Sequence, residues 1–176
     1  MNKFFKNIKY YYRDIKLGFK NLRYWFPIIW KDRNWDDLYI FEVLKHKLKS
    51  QADYIGSRNY YTQAQLDSKR MRICVKLIDI IQDESYYTEY GDYYENKVWT
   101  ELSIFKSEII SENFDDYFKK YPRIYKKVLN GEGPFTLKDE AEKKRLIARN
   151  IAYINQERAF KLLFKILEEN IRSWWD

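Results

Sequence analysis

Phe4, Ile8, Tyr11, Ile15, Phe19, Leu22 and Phe26 recur in alternating steps of three and four. That spacing lines one stripe of an α-helix, and it predicts a first helix over about 3–26. Lys6, Arg13, Lys16, Lys20 and Arg23 fall on a second stripe, more than a quarter-turn away. Pro27 disfavours helical backbone at Phe26, so the helix is expected to end or kink there. The simplest expectation for this element is that its aromatic stripe packs on a helical bundle while the lysines face water.

The same periodicity continues downstream. Asn34 and Asp37 stand three apart in a capping arrangement, ahead of a second helix that buries Leu38, Phe41, Leu44, Leu48, Ala52 and Ile55 and stops near Gly56. Thr62 and Gln65 read as a capping box for a third helix with the stripe Leu66, Ile73, Leu77 and Ile80 or Ile81. The acidic, tyrosine-rich run over about 85–96 reads as a loop. A fourth helix is expected from about Val98 through Leu102, Phe105 and Ile109, with a second part across FDDYFKKY that Pro122 ends. NGEGP, from Asn130 to Pro134, is a turn. Thr136 and Asp139 then cap a long final helix through Ile147, Ile151, Ile154, Leu162, Leu163, Ile166 and Ile171, which finishes at SWWD. Strand-like alternation and internal repeats are missing, so the fold class is all-α: one domain over residues 1–176, a bundle of five or six helices.

Composition narrows the chemistry. A chain of 176 residues can bury a sizeable core. Its single cysteine, Cys74, sits in an apolar helical run and reads as a small buried hydrophobe, in keeping with a reducing, cytoplasmic setting, that of a host cell if the source is viral. No run has the length of a membrane span. The only histidine, His46, lies between Lys45 and Lys47, which predicts a solvent-facing ring. One His and one Cys cannot build a zinc site or a nucleophile–histidine pair within one chain, and glycine-rich phosphate loops are missing. The expectation is therefore a protein that is not an enzyme, with no metal and no cofactor. Acidic groups such as Asp32, Asp36 and Asp37 are more simply solvated charges than ligands of a divalent cation.

Charge is concentrated at one end. Residues 1–33 carry nine Lys and Arg against two Asp, an excess of seven that equals the net charge of +7 of the whole chain. Arg13, Lys16, Lys20 and Arg23 are accordingly candidates for contacts to nucleic-acid phosphates. Insertion of the aromatic face into an anionic membrane interface ranks behind this, because it would strip a helix from the core. The tyrosine clusters, YYY at 10–12 among them, invite base stacking, although neighbouring helical residues point about 100° apart and one of each pair should be core.

The stretch PIIWKDRNWDDLY concentrates aromatic and charged side chains after Pro27. In one reading Trp30 and Trp35 plug the junction of two helices, and Asp32 or Asp36 pairs with Arg33. In the other, Lys31 and Arg33 bind an anion while Trp30 or Trp35 stacks on a ring. PIIWKDRNWDDLYIFEVLKHKL, RICVKLIDII and the ending FKLLFKILEENIRSWWD resemble a family of small tailed-bacteriophage proteins with a Pro-x-x-Trp-x-Asp-Arg-x-Trp-Asp motif and a terminal Trp-Trp-Asp. The matching positions are Pro27, Trp30, Asp32, Arg33, Trp35 and Asp36, then Trp174, Trp175 and Asp176. The resemblance implies a viral source and a helical fold, and carries no reaction.

Exposed indoles are costly, so Trp174 and Trp175 are expected to return to the Trp30–Asp36 corner, or to that corner of a second copy in a homo-oligomer. The pocket so formed would take an anionic, nucleotide-like small molecule, with Lys31, Arg33, Arg70 and Arg72 neutralising phosphate. A phage protein that sequesters host immune-signalling nucleotides would look like this. Nucleic-acid binding through the first helix, and a structural or host-protein-binding role, are the alternatives.

Overall fold

The structure is a computed structural model that describes residues 2–32, 38–94, 114–131 and 140–174. Among the described residues it is all-helical, with α1 (Asn2–Ile29), α2 (Tyr39–Arg58), α3 (Ala64–Gln82), α4 (Ser85–Tyr94), α5 (Phe114–Lys120), α6 (Pro122–Asn130) and α7 (Glu140–Asn170). The all-α class is as expected, but the described helices number seven rather than five or six. The chain divides into two compact units, residues 1–47 and 48–176, and the boundary falls inside α2.

In the second unit α3, α4, α5 and α6 all pack on α7. The buried row of α7 is Ile147, Ile151, Asn155, Ala159, Leu163 and Leu167, every fourth residue, widened by Ala148 and Ala152. Leu162 and Ile171, expected in the core, are instead exposed. A row with a step of four drifts round the helix axis by roughly 40° per step; Leu162 stands one residue off it, and Ile171, its next step, comes after α7 has ended at Asn170. At one end of α7, Ile147, Ala148 and Ile151 join Phe114, Tyr117, Phe118, Ile124 and Val128 in a cluster dense in aromatic rings. Phe118 stacks on Tyr125 at 4.5 Å, and Tyr117 meets Tyr121 edge-on at 5.3 Å. Pro122 separates α5 from α6 and occupies the first turn of α6, where its missing N–H costs nothing.

The tyrosine-rich run is a helix, α4, and not a loop. Tyr86, Tyr90 and Tyr93 stand four and three apart, which is a helical stripe. Tyr90 and Tyr93 use it to pack on the aromatic cluster, with Tyr93 and Tyr117 ring centroids 5.0 Å apart. Glu84, at φ 46°, breaks the backbone between α3 and α4, and its carbonyl then accepts from the N–H groups of Tyr87 and Thr88 in the first turn of α4.

The face of α3 also differs from the expectation. Ala64, Met71, Cys74, Leu77, Ile78 and Ile81 are buried, whereas Leu66 and Ile73 are exposed. Two polar residues share the buried face. Ser68 donates from Oγ to the Ala52 carbonyl at 2.8 Å, and Asp67 accepts from the Tyr61 hydroxyl at 3.1 Å and from Arg70 at 3.0 Å. Their hydrogen bonds offset the desolvation that argues against such a face. The expected Thr62–Gln65 capping box does not form. No side chain caps α3, and Gln65 donates instead to the Gly56 carbonyl at 2.9 Å. α2 buries Leu48, Ala52 and Ile55 as expected, and it runs past Gly56 to Arg58, where Asn59 at φ 51° ends it.

In the first unit α1 continues through Pro27 to Ile29, so the proline does not end it. The Trp30 N–H still reaches the Phe26 carbonyl at 2.9 Å. The stripe of α1, expected to be buried, is open: Tyr11, Ile15, Phe19, Leu22 and Phe26 are between 53% and 70% exposed. Tyr10 and Tyr12 are exposed as well, so none of the three consecutive tyrosines is core. The expected helix around Val98–Ile109, the caps at Asn34, Asp37, Thr136 and Asp139, and most of NGEGP lie outside the described residues.

Two substitutions test the placement of α3. Met71→Ala should cost about 2–5 kcal/mol in urea unfolding, as a large-to-small change at a closed site. Leu66→Ala should stay within roughly 0.5 kcal/mol, and the reverse order would mean that the other stripe is the buried one. At Gly56 a Cβ would lie 2.6 Å from Ser68 Oγ and 3.2 Å from its Cβ, so rotating the hydroxyl away would break its bond and still leave a clash. Gly56→Ala is therefore expected to destabilise by about 1–3 kcal/mol in the same assay.

Candidate functional surface

The 28-residue helix α1 follows an amphipathic register, although Gly18 and Pro27 lie inside it. α1 meets α2 through a different face from the apolar stripe. Tyr24 stacks on His46 with ring centroids 4.0 Å apart and donates its hydroxyl to the His46 carbonyl at 3.0 Å. Trp25 meets the same imidazole edge-on at 5.0 Å. His46 is therefore half-buried and not solvent-facing, because two aromatic rings from α1 cover it. The helix–helix plug is Trp25, whereas Trp30 is 72% exposed and leans on Phe26 at 5.3 Å. The reason is register: five residues on from Trp25, a helical position has turned by about 500°, well off the α2-facing side.

With Tyr24 and Trp25 facing α2, residues 10–23 of α1 are exposed. Arg13, Lys16, Lys20 and Arg23 are exposed, and Arg13 makes a solvent-exposed pair with Asp14 at 3.7 Å. Lys16, Lys20 and Arg23 have no ion pair among the described residues. An exposed pair such as Arg13–Asp14 is worth little and leaves the cation available. The surface of α1 thus carries a cationic band and an uncovered aromatic and aliphatic band side by side.

Of the residues expected at the corner pocket, Trp30, Lys31, Arg70, Arg72 and Trp174 are among the described residues. Lys31 is exposed beside Trp30, while Arg33, Trp35, Asp36 and Trp175 lie outside the described residues. Trp174 is 1% exposed. It lies in a turn after α7, which ends at Asn170 and does not carry the helix to SWWD. Arg70 is held by the buried Asp67, and Arg72 pairs across the α2–α3 seam with Asp53 at 3.3 Å. Two positions apart on a helix, these arginines project roughly 200° apart and do not converge.

Two features of the second unit were not anticipated. Glu89 of α4 accepts from the Tyr121 hydroxyl at 2.8 Å and from Lys120, and so ties α4 to the α5–α6 junction. Between α5 and α6, Phe118, Pro122, Tyr125 and Leu129 line an open groove of about 460 Å³ edged by Lys119 and Lys126. Lys119 is already paired with Asp116 at 2.8 Å, so the groove lacks a convergent polar set. The spacing of Tyr86, Tyr90 and Tyr93 was the available signal for the Glu89 clasp, since it puts a helix where Glu89 can face α5.

Burial, and then Glu89, raise the Tyr117 hydroxyl well above its usual range, and burial raises Tyr121 with help from its bond to Glu89. Burial also pushes the Cys74 thiol up to about 11. All three folded values lie above the unfolded ones. Their stabilising contribution is therefore complete below about pH 9, and is lost as pH rises through the folded values. Stability should accordingly fall above about pH 10, with a fraction of the tyrosine absorbance at alkaline pH appearing only together with unfolding. At about pH 8 an aromatic disulfide reagent should leave Cys74 unmodified until urea unfolds the chain; rapid labelling of native protein would contradict its burial.

Comparison with protein-family models, with curated proteins and with solved structures finds no match to this chain, and so lends no support to the bacteriophage resemblance of the corner motif.

Proposed function

We propose that this is a binding protein and not an enzyme, and that its working surface is α1, which docks on a polyanionic surface. The observation that carries the reading is the band of exposed cations at Arg13, Lys16, Lys20 and Arg23 on a long, largely uncovered helix. Residues 1–33 hold the entire net positive charge, so the field of the molecule is polarised toward this element. Cations held apart from acidic partners keep their attraction for external anions and exchange it with salt.

A nucleotide pocket at the Trp30 corner is the weaker reading. It depends on Arg33, Trp35, Asp36 and Trp175, which are outside the described residues, and on Trp174, which is buried. Trp30 and Lys31, both exposed at the end of α1, are better used as an extension of the helix surface.

Retention on immobilised heparin reads this directly. Wild-type protein should be retained at about 0.15 M salt and released as ionic strength rises. Joint replacement of Lys16, Lys20 and Arg23 by Glu should weaken binding on the order of a hundredfold or more, and release the protein at clearly lower salt. A wild-type protein that flows through at low salt, or a triple variant retained as strongly as wild type, would end the reading.

A further inference from the structure

Cations alone do not explain why an aromatic and aliphatic band lies uncovered beside them. We infer that the polyanion bound by α1 is the surface of an anionic phospholipid bilayer, with α1 lying in the interface plane; this rests on α1 being the polyanion-binding element. Tyr11, Ile15, Phe19, Leu22 and Phe26 form one continuous stripe along four turns, each more than half exposed. Duplex grooves present mainly phosphates, sugars and base edges, with only thymine methyl groups apolar, and give a continuous stripe of this length little to bury against. A bilayer interface takes both bands at once, apolar side chains into the acyl boundary and cations against the headgroups.

Two details favour lipid over another helix. Lys16 and Arg23, seven apart, edge the stripe on one side, where their stems can lie along the apolar boundary and their charges reach headgroups. A second copy of α1 would bring like charges together, whereas an anionic surface is the complementary partner. Nor does α1 need to cross the bilayer: among the described residues no helix is long and apolar enough to do so. Its cationic face keeps it at the surface.

The test is flotation of the full chain with phosphatidylcholine vesicles, with and without about 30% phosphatidylserine, at about 0.15 M salt. Wild type should float with the anionic vesicles and not with the neutral ones. Joint replacement of Phe19, Leu22 and Phe26 by Ser should reduce vesicle binding on the order of a hundredfold while leaving heparin retention unchanged. The Lys16, Lys20 and Arg23 to Glu variant should lose both. Because the three apolar sites are exposed, the Ser variant should keep its helical circular dichroism and urea midpoint. Heparin retention without vesicle flotation would overturn the lipid assignment and leave the polyanion reading standing, with duplex DNA the next ligand to titrate. Loss of both in wild type would overturn the two together. A wild type that elutes as a dimer in size exclusion, and a Ser variant that elutes as a monomer, would assign the stripe to a second copy instead.

Discussion

The second unit depends on one row of side chains on α7. Ile147, Ile151, Asn155, Ala159, Leu163 and Leu167 repeat every four residues, and each step overshoots a full turn by roughly 40°. The row consequently winds round the helix, so its two ends face different directions. Ile147, Ala148 and Ile151 meet the aromatic cluster of α5 and α6, whereas Gln156, farther along, donates to the Ile81 carbonyl at the end of α3. Ala148, Ala152 and Ala159 keep the surface low where partners approach. A straight stripe with the 3.6-residue period would address one neighbour, and the four-residue drift is what allows one helix to organise four.

Much of this was legible in the residues, and the exceptions share a cause. Periodicity located α2, α3 and α7 to within a few residues, and Leu48, Ala52, Ile55 and Cys74 were recognisable as core. What periodicity does not decide is which of two apolar rows on one helix is buried. α3 offers Leu66 and Ile73 on one row, and Met71, Cys74, Ile78 and Ile81 on another. The second row is buried although Asp67 and Ser68 accompany it, because Tyr61, Arg70 and the Ala52 carbonyl satisfy those polar groups. Such partners lie in other elements and leave no trace in local spacing. α4 was missed for the complementary reason. Its tyrosines look like loop residues by composition, yet their spacing and their contacts with Phe114 and Tyr117 make them core-facing.

α1 presents the same signal with the opposite outcome. Its amphipathic register is clear, and its stripe from Tyr11 to Phe26 is nevertheless exposed. Amphipathicity says that a helix has two faces and is silent about what covers the apolar one. The contact with α2 is made by Tyr24 and Trp25, off that stripe, and it fixes the helix through a hydrogen bond and ring stacking without using its apolar row. The stripe is already exposed, so binding lipid through it would draw no buried apolar row into the interface.

The tryptophans of the two motifs meet different surroundings. An exposed indole is costly, and one physical solution is burial, which Trp174 reaches in the turn after α7. Trp30 keeps the cost and stays exposed against Phe26, the last residue of the apolar stripe. An indole has an apolar body and a polar N–H, and its lowest-energy setting is a boundary where one side is apolar and the other wet. On the proposed lipid reading, Trp30 and Lys31 prolong the α1 surface at such a boundary and are no longer the wall of a separate pocket. The exposure of Trp30 and that of the α1 stripe then have one explanation, an interface with graded polarity that neither water nor a dry protein core provides.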